Sequence, residues 1–226
     1  MQEEFYNLAN KSQAAFAKKL TPTNIAFLGI KIPRIKEFVK NHQITYDELY
    51  NIKLNQYVEQ DILFGLFLNK LGKIKNQLYY DTFLYFVKYL DNWMTCDTFV
   101  CDTKFKKNDY DQLLSIIQCL LQQEPIEIRC GLILLKKYFI KELEFDEIFK
   151  MIKGIKYGNY YVDMGCAWLL CTMGCYNFEY IYNHLPNILE MSNFVYNKTL
   201  QKMRESYLIT PEQKQRLKNL NFYCFI

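Results

Sequence analysis

Apolar residues recur at three- and four-residue intervals through most of this chain, and no segment alternates as a half-buried strand requires. Val58, Ile62, Leu63, Leu66 and Phe67 follow the helical period. So do Ile128, Leu132, Leu135 and Phe139. Glycine and proline number only 8 and 5 in 226 residues, which favours long regular elements over a turn-rich β protein. These observations restrict the fold to an all-α class.

Local signals divide the chain. A polar amphipathic helix is expected over residues 3–19, stopped at Thr21-Pro22-Thr23. An extended apolar turn, Phe27-Leu-Gly-Ile-Lys-Ile-Pro33, leads into a helix ending near Asn41. Thr45 and Glu48 form a capping box, and Asn55 is read as the cap of the next helix. A helix over 77–90 is followed by a polar break holding Trp93 and Asp97. After a polar loop, helices are expected over 110–121, from Pro125 to about Lys141, and over 144–154, where Gly154 ends the last of them. Residues 159–174 are apolar all round, as in a buried helix. Two helices near 177–190 and 194–208 follow, and Thr210, Pro211 and Gln213 open a final one.

Antiparallel pairs of such helices recur at roughly 35–45 residues, the range of HEAT-type repeats. The expected architecture is therefore an α–α superhelix, a HEAT-like solenoid of about six antiparallel helix pairs with a concave face for binding. A single domain over residues 1–226 is expected. A compact irregular α bundle is the structural alternative.

Composition removes many functions. No apolar run is long enough to cross a bilayer, and Met-Gln-Glu-Glu-Phe at the start has neither the basic nor the apolar region of a signal peptide. A cytoplasmic protein is expected, with no membrane partner. Its 8 cysteines lie largely in apolar helical patterns (Cys119, Cys130, Cys166, Cys171), where a reduced thiol packs as a small hydrophobe. Cys171 and Cys175 stand one helical turn apart, a spacing read as core packing. With no C-x-x-C pair, and only His42 and His184, far apart, neither a metal nor another cofactor is expected. Gly-rich phosphate loops, Ser/His/Asp sets, Cys/His pairs and HExxH are all missing from the sequence. The net charge of +4 is compatible with nucleic acid and too weak alone to require it.

Four constellations remain. Trp93 and Asp97 are four apart, so a helical turn presents an aromatic plane and a carboxylate on one face. Taken alone, such a pair more commonly packs against the core and caps the next helix. Arg129 lies at the edge of an apolar stripe in the first turn of its helix, where a cation opposes the dipole at roughly 0.3–1 kcal/mol. It either answers an anion, Asp97 or a phosphate, or lays its stem on the core as a solvated arginine. Trp168 shares a face with Tyr161, Gly165 and Thr172, and Gly165 permits close approach of a backbone or ligand. A core tryptophan is the ordinary alternative. Finally, Asn197, Lys198, Gln201 and Lys202 project opposite the stripe of Tyr196, Leu200, Met203 and Tyr207. Amide and ammonium donors on one face suit phosphodiester oxygens, or simply form a solvated face.

In this order the pieces resemble the AlkD-like DNA alkylation repair family of HEAT-like proteins. The matching pieces are Phe27 to Pro33, Asp91-Asn-Trp-Met-Thr-Cys-Asp97, Glu127 to Leu135, Tyr160 to Trp168 and Tyr196 to Ser206. The resemblance implies a DNA repair hydrolase, a glycosylase releasing cationic N3- and N7-alkylpurines from double-stranded DNA without flipping the base. It assigns the catalytic carboxylate to Asp97, the arginine to Arg129 and the flanking tryptophans to Trp93 and Trp168. A monomer acting on DNA is expected. The alternative is a non-catalytic HEAT-like module that recognises duplex or branched DNA by shape; a protein–protein scaffold is a third reading. Active members carry an N-terminal helix that braces the lesion and supplies an aromatic side chain. Here the passage from Phe16 to Phe27 leaves little room for one, and Asp163 adds a negative charge near Met164.

Overall fold

The computed structural model describes residues 1–220. Among them every regular element is a helix, joined by one isolated parallel bridge between Ala26 and Tyr57. The chain divides into two compact units, the first running from Met1 to Gln112 and the second from Leu113.

The first unit holds α1 (Gln2–Tyr6), α2 (Lys11–Leu20), α3 (Ile32–Asn41), α4 (Tyr46–Tyr50), α5 (Val58–Leu71), α6 (Gln77–Val87) and α7 (Trp93–Asp102). A 3-10 turn then leads into α8 (Tyr110–Leu120), within which the division falls. Helix α5 is the centre, packed against α3, α4, α6 and α7, and its residues from Val58 to Leu68 are all buried. Its apolar side chains point all round because neighbours lie all round. Gly65 makes this possible: a Cβ there would sit 2.9 Å from the rings of Phe86 and Phe99. These rings meet edge to face at 4.9 Å, and Phe64 stacks on Phe86 at the same separation. Each such buried ring contributes roughly 1.5–3 kcal/mol.

The second unit holds α9 (Pro125–Tyr138), α10 (Phe145–Lys153), α11 (Tyr160–Tyr176), α12 (Phe178–Asn183), α13 (Leu185–Met191), α14 (Asn193–Glu205) and α15 (Pro211–Lys218). Helix α11 is its centre, flanked by α9 and α14, which explains its nearly continuous apolar sequence. Within each unit, helix packs on helix in the manner that builds an α–α superhelix.

Several helix boundaries differ from the sequence reading. The helix expected over 3–19 is two helices, because Asn10 restarts the chain. Its side chain accepts from the Gln13 amide at 3.0 Å, while its own amide donates to the Leu28 carbonyl at 2.8 Å. Asn55 is not a cap. It takes the left-handed conformation, φ 61°, and donates its amide to the Asp61 carboxylate at 2.8 Å. The N-cap position of α5 belongs to Tyr57, and the Val58 amide goes to the Ala26 carbonyl instead of a side chain. The segment near 177–190 is two helices, with Pro186 in the first turn of the second. The capping boxes at Thr45 and Thr210, Pro125 at a helix start and Gly154 at a helix end all lie where the sequence places them.

Candidate functional site

The Trp93 to Asp97 stretch is not a break. The break is Lys88 to Asn92, and Trp93 is the first residue of α7. Asn92, itself buried, caps the helix by accepting from the Thr95 amide at 3.0 Å. Asp97 is thus not the cap of α7 and stands one turn inside the helix, on the face of Trp93, with both side chains half-buried. The indole of Trp93 is held from the side: its Nε1–H donates to the carbonyl of Leu20, the last residue of α2, at 3.3 Å.

Helix α2 forms one wall of a cavity of about 340 Å³, closed opposite by Ile30, Pro33, Trp93 and Met94. It buries none of its own residues, and Phe16 is 60% exposed on it. Ten residues of helix thus lie beside Trp93, inside the segment expected to be helical, and the passage from Thr21 to Phe27 that follows holds no further helix. What docks α2 there is the apolar turn before α3. Glu59, in the first turn of α5, is buried and accepts from the amides of Leu28 and Gly29, both at 2.8 Å. Gly29 has φ +80°, and a Cβ on it would lie 2.0 Å from the Asn10 carbonyl oxygen. Only glycine lets α2 approach so closely. Beneath this cradle the carboxyl of Asp61 is pushed up to about 7 by burial first, then by the charges of Asp91 and Glu59. Asp91 in turn accepts a hydrogen bond from the Thr23 hydroxyl.

Arg129 and Trp168 come together in the second unit. Arg129 is buried, 3% exposed, which excludes the solvated-surface reading. It lies in the second turn of α9, not the first, and its Nη1 donates to the Tyr161 carbonyl at 3.1 Å. Its guanidinium carbon is 5.7 Å from the centroid of the Trp168 ring. Two more cations reach the same ring: Lys136 Nζ at 4.8 Å and Lys202 Nζ at 4.7 Å. Gly165 lets α9 approach α11, since a Cβ would meet Leu132 Cδ1 at 3.3 Å and Arg129 Cγ at 3.6 Å. Trp168 is half-buried, neither a core residue nor a free one.

Helix α14 brings the remaining residues. Lys198 donates to Gln201 at 3.0 Å, and Gln201 donates to Glu205 at 2.8 Å, a row along one face. Asn197 is buried at 8% exposure, whereas Lys198, Gln201 and Lys202 are half-buried. The ammonium of Lys202 is held below the usual lysine range, chiefly by burial and further by Lys198 and Arg129. Tyr207 is fully exposed beyond the end of α14, so the apolar stripe stops at Met203. Asp163 points elsewhere. It is buried, accepts from the Gly158 amide at 3.0 Å, and so secures the left-handed turn at Gly158 before α11.

Sequence reasoning missed Lys136 and Phe16. Lys136 lies two turns beyond Arg129 on α9, so the seven-residue interval was a usable signal. Phe16 carried none, because its role depends on where α2 docks. Among the described residues no group of three or more His, Cys, Asp or Glu side chains is arranged to hold a metal, and no helix is long and apolar enough to cross a membrane. The Cys166 and Cys171 thiols are pushed up to about 12, both chiefly by burial, so neither is a nucleophile near neutrality.

The family model described as DNA alkylation repair enzyme matches residues 1–185, a span that includes α2, Trp93, Asp97, Arg129 and Trp168. No curated protein matches the chain.

Proposed function

The chain belongs to the DNA alkylation repair enzyme family, and from that premise we propose that it hydrolyses the N-glycosidic bond of cationic N3- and N7-alkylpurines in double-stranded DNA. A role in DNA repair comes with the family; the reaction and lesion class are the proposal. The observation that carries it is the pairing of Trp93 and Asp97 on one face of α7, with α2 and its exposed Phe16 alongside.

The chemistry suits these groups. An alkylated purine is already positive and departs without a general acid. As the bond to the base lengthens, positive charge grows on the deoxyribose. Asp97 stabilises that charge and orients the attacking water. A carboxylate about 4 Å from a unit positive charge contributes roughly 4 kcal/mol at a partly exposed site. That is on the order of a thousandfold in rate. The Trp93 ring lies against the sugar, and Phe16 braces the strand from α2.

Trp168 has a different part. Its ring is already faced by Arg129, Lys136 and Lys202, a setting that repels a cationic sugar and attracts a phosphate. We therefore assign Arg129, Lys136 and Lys202, with Lys198 and Gln201, to the DNA backbone. The same cations would serve a module that binds duplex or branched DNA by shape without chemistry. Release of base from DNA carrying 7-methylguanine or 3-methyladenine separates the two readings. The proposal expects release that Asp97→Asn slows on the order of a thousandfold; salt-sensitive binding with no release leaves only the binding module.

A further inference from the structure

A second basic feature lies at the far end of α7 from Trp93. A cavity of about 490 Å³ opens where the C-terminal ends of α3, α5 and α7 converge. Its walls carry Lys36, Lys40, Lys70, Lys73, Lys104 and Lys106 against one carboxylate, Asp102, and its floor is apolar, with Val39, Leu66 and Phe105.

Helix C-termini attract lysines for local reasons, and two of these six, Lys40 and Lys70, lie in the last turns of α3 and α5. Lys70 donates to the carbonyls of Val39, Lys40 and His42 at 2.7, 3.2 and 2.5 Å and so closes α3. Lys36 pairs with Asp102 at 3.2 Å. Lys40, Lys73, Lys104 and Lys106 are exposed, and among the described residues none makes a salt bridge. Helix ends therefore do not account for Lys73, Lys104 and Lys106, which join Lys40 on one concavity. Ammonium groups on flexible stems fit a row of phosphates better than a single planar carboxylate.

We propose that this groove binds the phosphodiester backbone of DNA flanking the lesion. The inference rests on the reading of DNA as the partner, though not on glycosylase chemistry. Helix α7 sets the scale. From Trp93 to Asp102 it rises about 14 Å at 1.5 Å per residue. That corresponds to about four nucleotides at 3.4 Å each along one strand. A strand held at Trp93 and Asp97 thus reaches the groove within about four nucleotides on one side.

The test uses the full chain with Lys40, Lys73, Lys104 and Lys106 all changed to Gln, and a control with Lys53→Gln, Lys150→Gln, Lys214→Gln and Lys218→Gln, which removes equal charge elsewhere. Binding of an unmodified fluorescent duplex is measured from about 50 to 200 mM salt. The groove variant is expected to bind at least about tenfold more weakly and to reduce the slope of log K against log salt by about 0.9 for each phosphate left without its lysine. Duplexes with only two base pairs on one side of the bound region should abolish this difference on that side. Equal weakening of groove variant and control would overturn the proposal. So would competition by inorganic pyrophosphate at the groove with no change in DNA binding, which would mark a small-anion site. The single changes Lys73→Gln and Lys104→Gln guard against a misfolded quadruple variant, each expected to reduce the slope by about 0.9. Absence of base release beside a groove-dependent salt slope refutes the glycosylase reading alone; release with an unchanged slope refutes the groove alone.

Discussion

Trp93 and Leu20 are joined by a hydrogen bond from the indole Nε1–H to the main-chain carbonyl, at 3.3 Å. The bond spans 73 residues of sequence and ties the α7 tryptophan to the last turn of α2. It makes the N-terminal helix part of the candidate site.

Changing Trp93 to Phe retains an aromatic face and removes this donor. Loss of one hydrogen bond contributes about 1 kcal/mol, so base release should slow by roughly fivefold. Trp93→Ala should slow it further, and Asp97→Asn on the order of a thousandfold. Single-turnover measurements on 7-methylguanine DNA check the order of the three. Equal rates for Trp93→Phe and the parent would show that the Leu20 bond does not position the ring.

Gly29 and Gly154 offer an opposed pair. A Cβ at Gly29 meets the Asn10 carbonyl at 2.0 Å in a left-handed backbone, whereas Gly154 has nothing within 4 Å. Gly29→Ala should destabilise the N-terminal docking by at least about 1–3 kcal/mol. Gly154→Ala, at a helix C-cap with negative φ, should change stability by less than about 0.5 kcal/mol. Urea unfolding monitored by tryptophan fluorescence reads both.

Burial of Asp61 makes stability depend on pH. Its carboxyl lies at about 7 in the folded protein against an ordinary 3.8, so the native state holds a proton that the unfolded state has released. Stability from this group is greatest at acidic pH, falls as pH rises between those values, and levels above about 7, a loss of roughly 4 kcal/mol. Asp61→Asn, which keeps an acceptor for the Asn55 amide, should flatten the profile between pH 5 and 8. An unchanged slope in the variant would assign the dependence to other groups.

Lys202 should show stability and binding moving in opposite directions. Burial and the nearby Lys198 and Arg129 hold its ammonium below the usual range, so the charged form is disfavoured in the fold. Lys202→Gln is expected to raise the urea midpoint. It should also weaken DNA binding and lower the salt slope by about 1.

What could be read in advance was what neighbours in sequence decide. Thr45 with Glu48, Thr210 with Gln213, Pro125 and Gly154 act within one turn of chain, and each lies where expected. Trp93, Asp97, Arg129 and Trp168 could be named as a candidate set only together, from several motifs resembling a family in order, since each alone has an ordinary packing reading. Asn55 was misread because a left-handed asparagine and a capping asparagine look alike until Asp61 is seen holding its amide. Asn92 caps α7, which starts at Trp93 where the sequence reading has a polar break, and its bond to the Thr95 amide identifies it. The cations on Trp168 come from α9 and α14, elements apart in sequence, and Phe16 reaches the site only because Gly29 and Glu59 dock its helix. Such relations belong to tertiary packing, and no local pattern encodes them.

The fold brings Arg129, Lys136 and Lys202 to one indole. An anion that settles there lowers the energy of the folded state alone, because an unfolded chain disperses the three charges. Melting temperature becomes a meter of occupancy, climbing with polyanion concentration and, to a smaller degree, with salt. The side chains proposed to meet the DNA backbone would then also set how far a bound polyanion raises thermal stability.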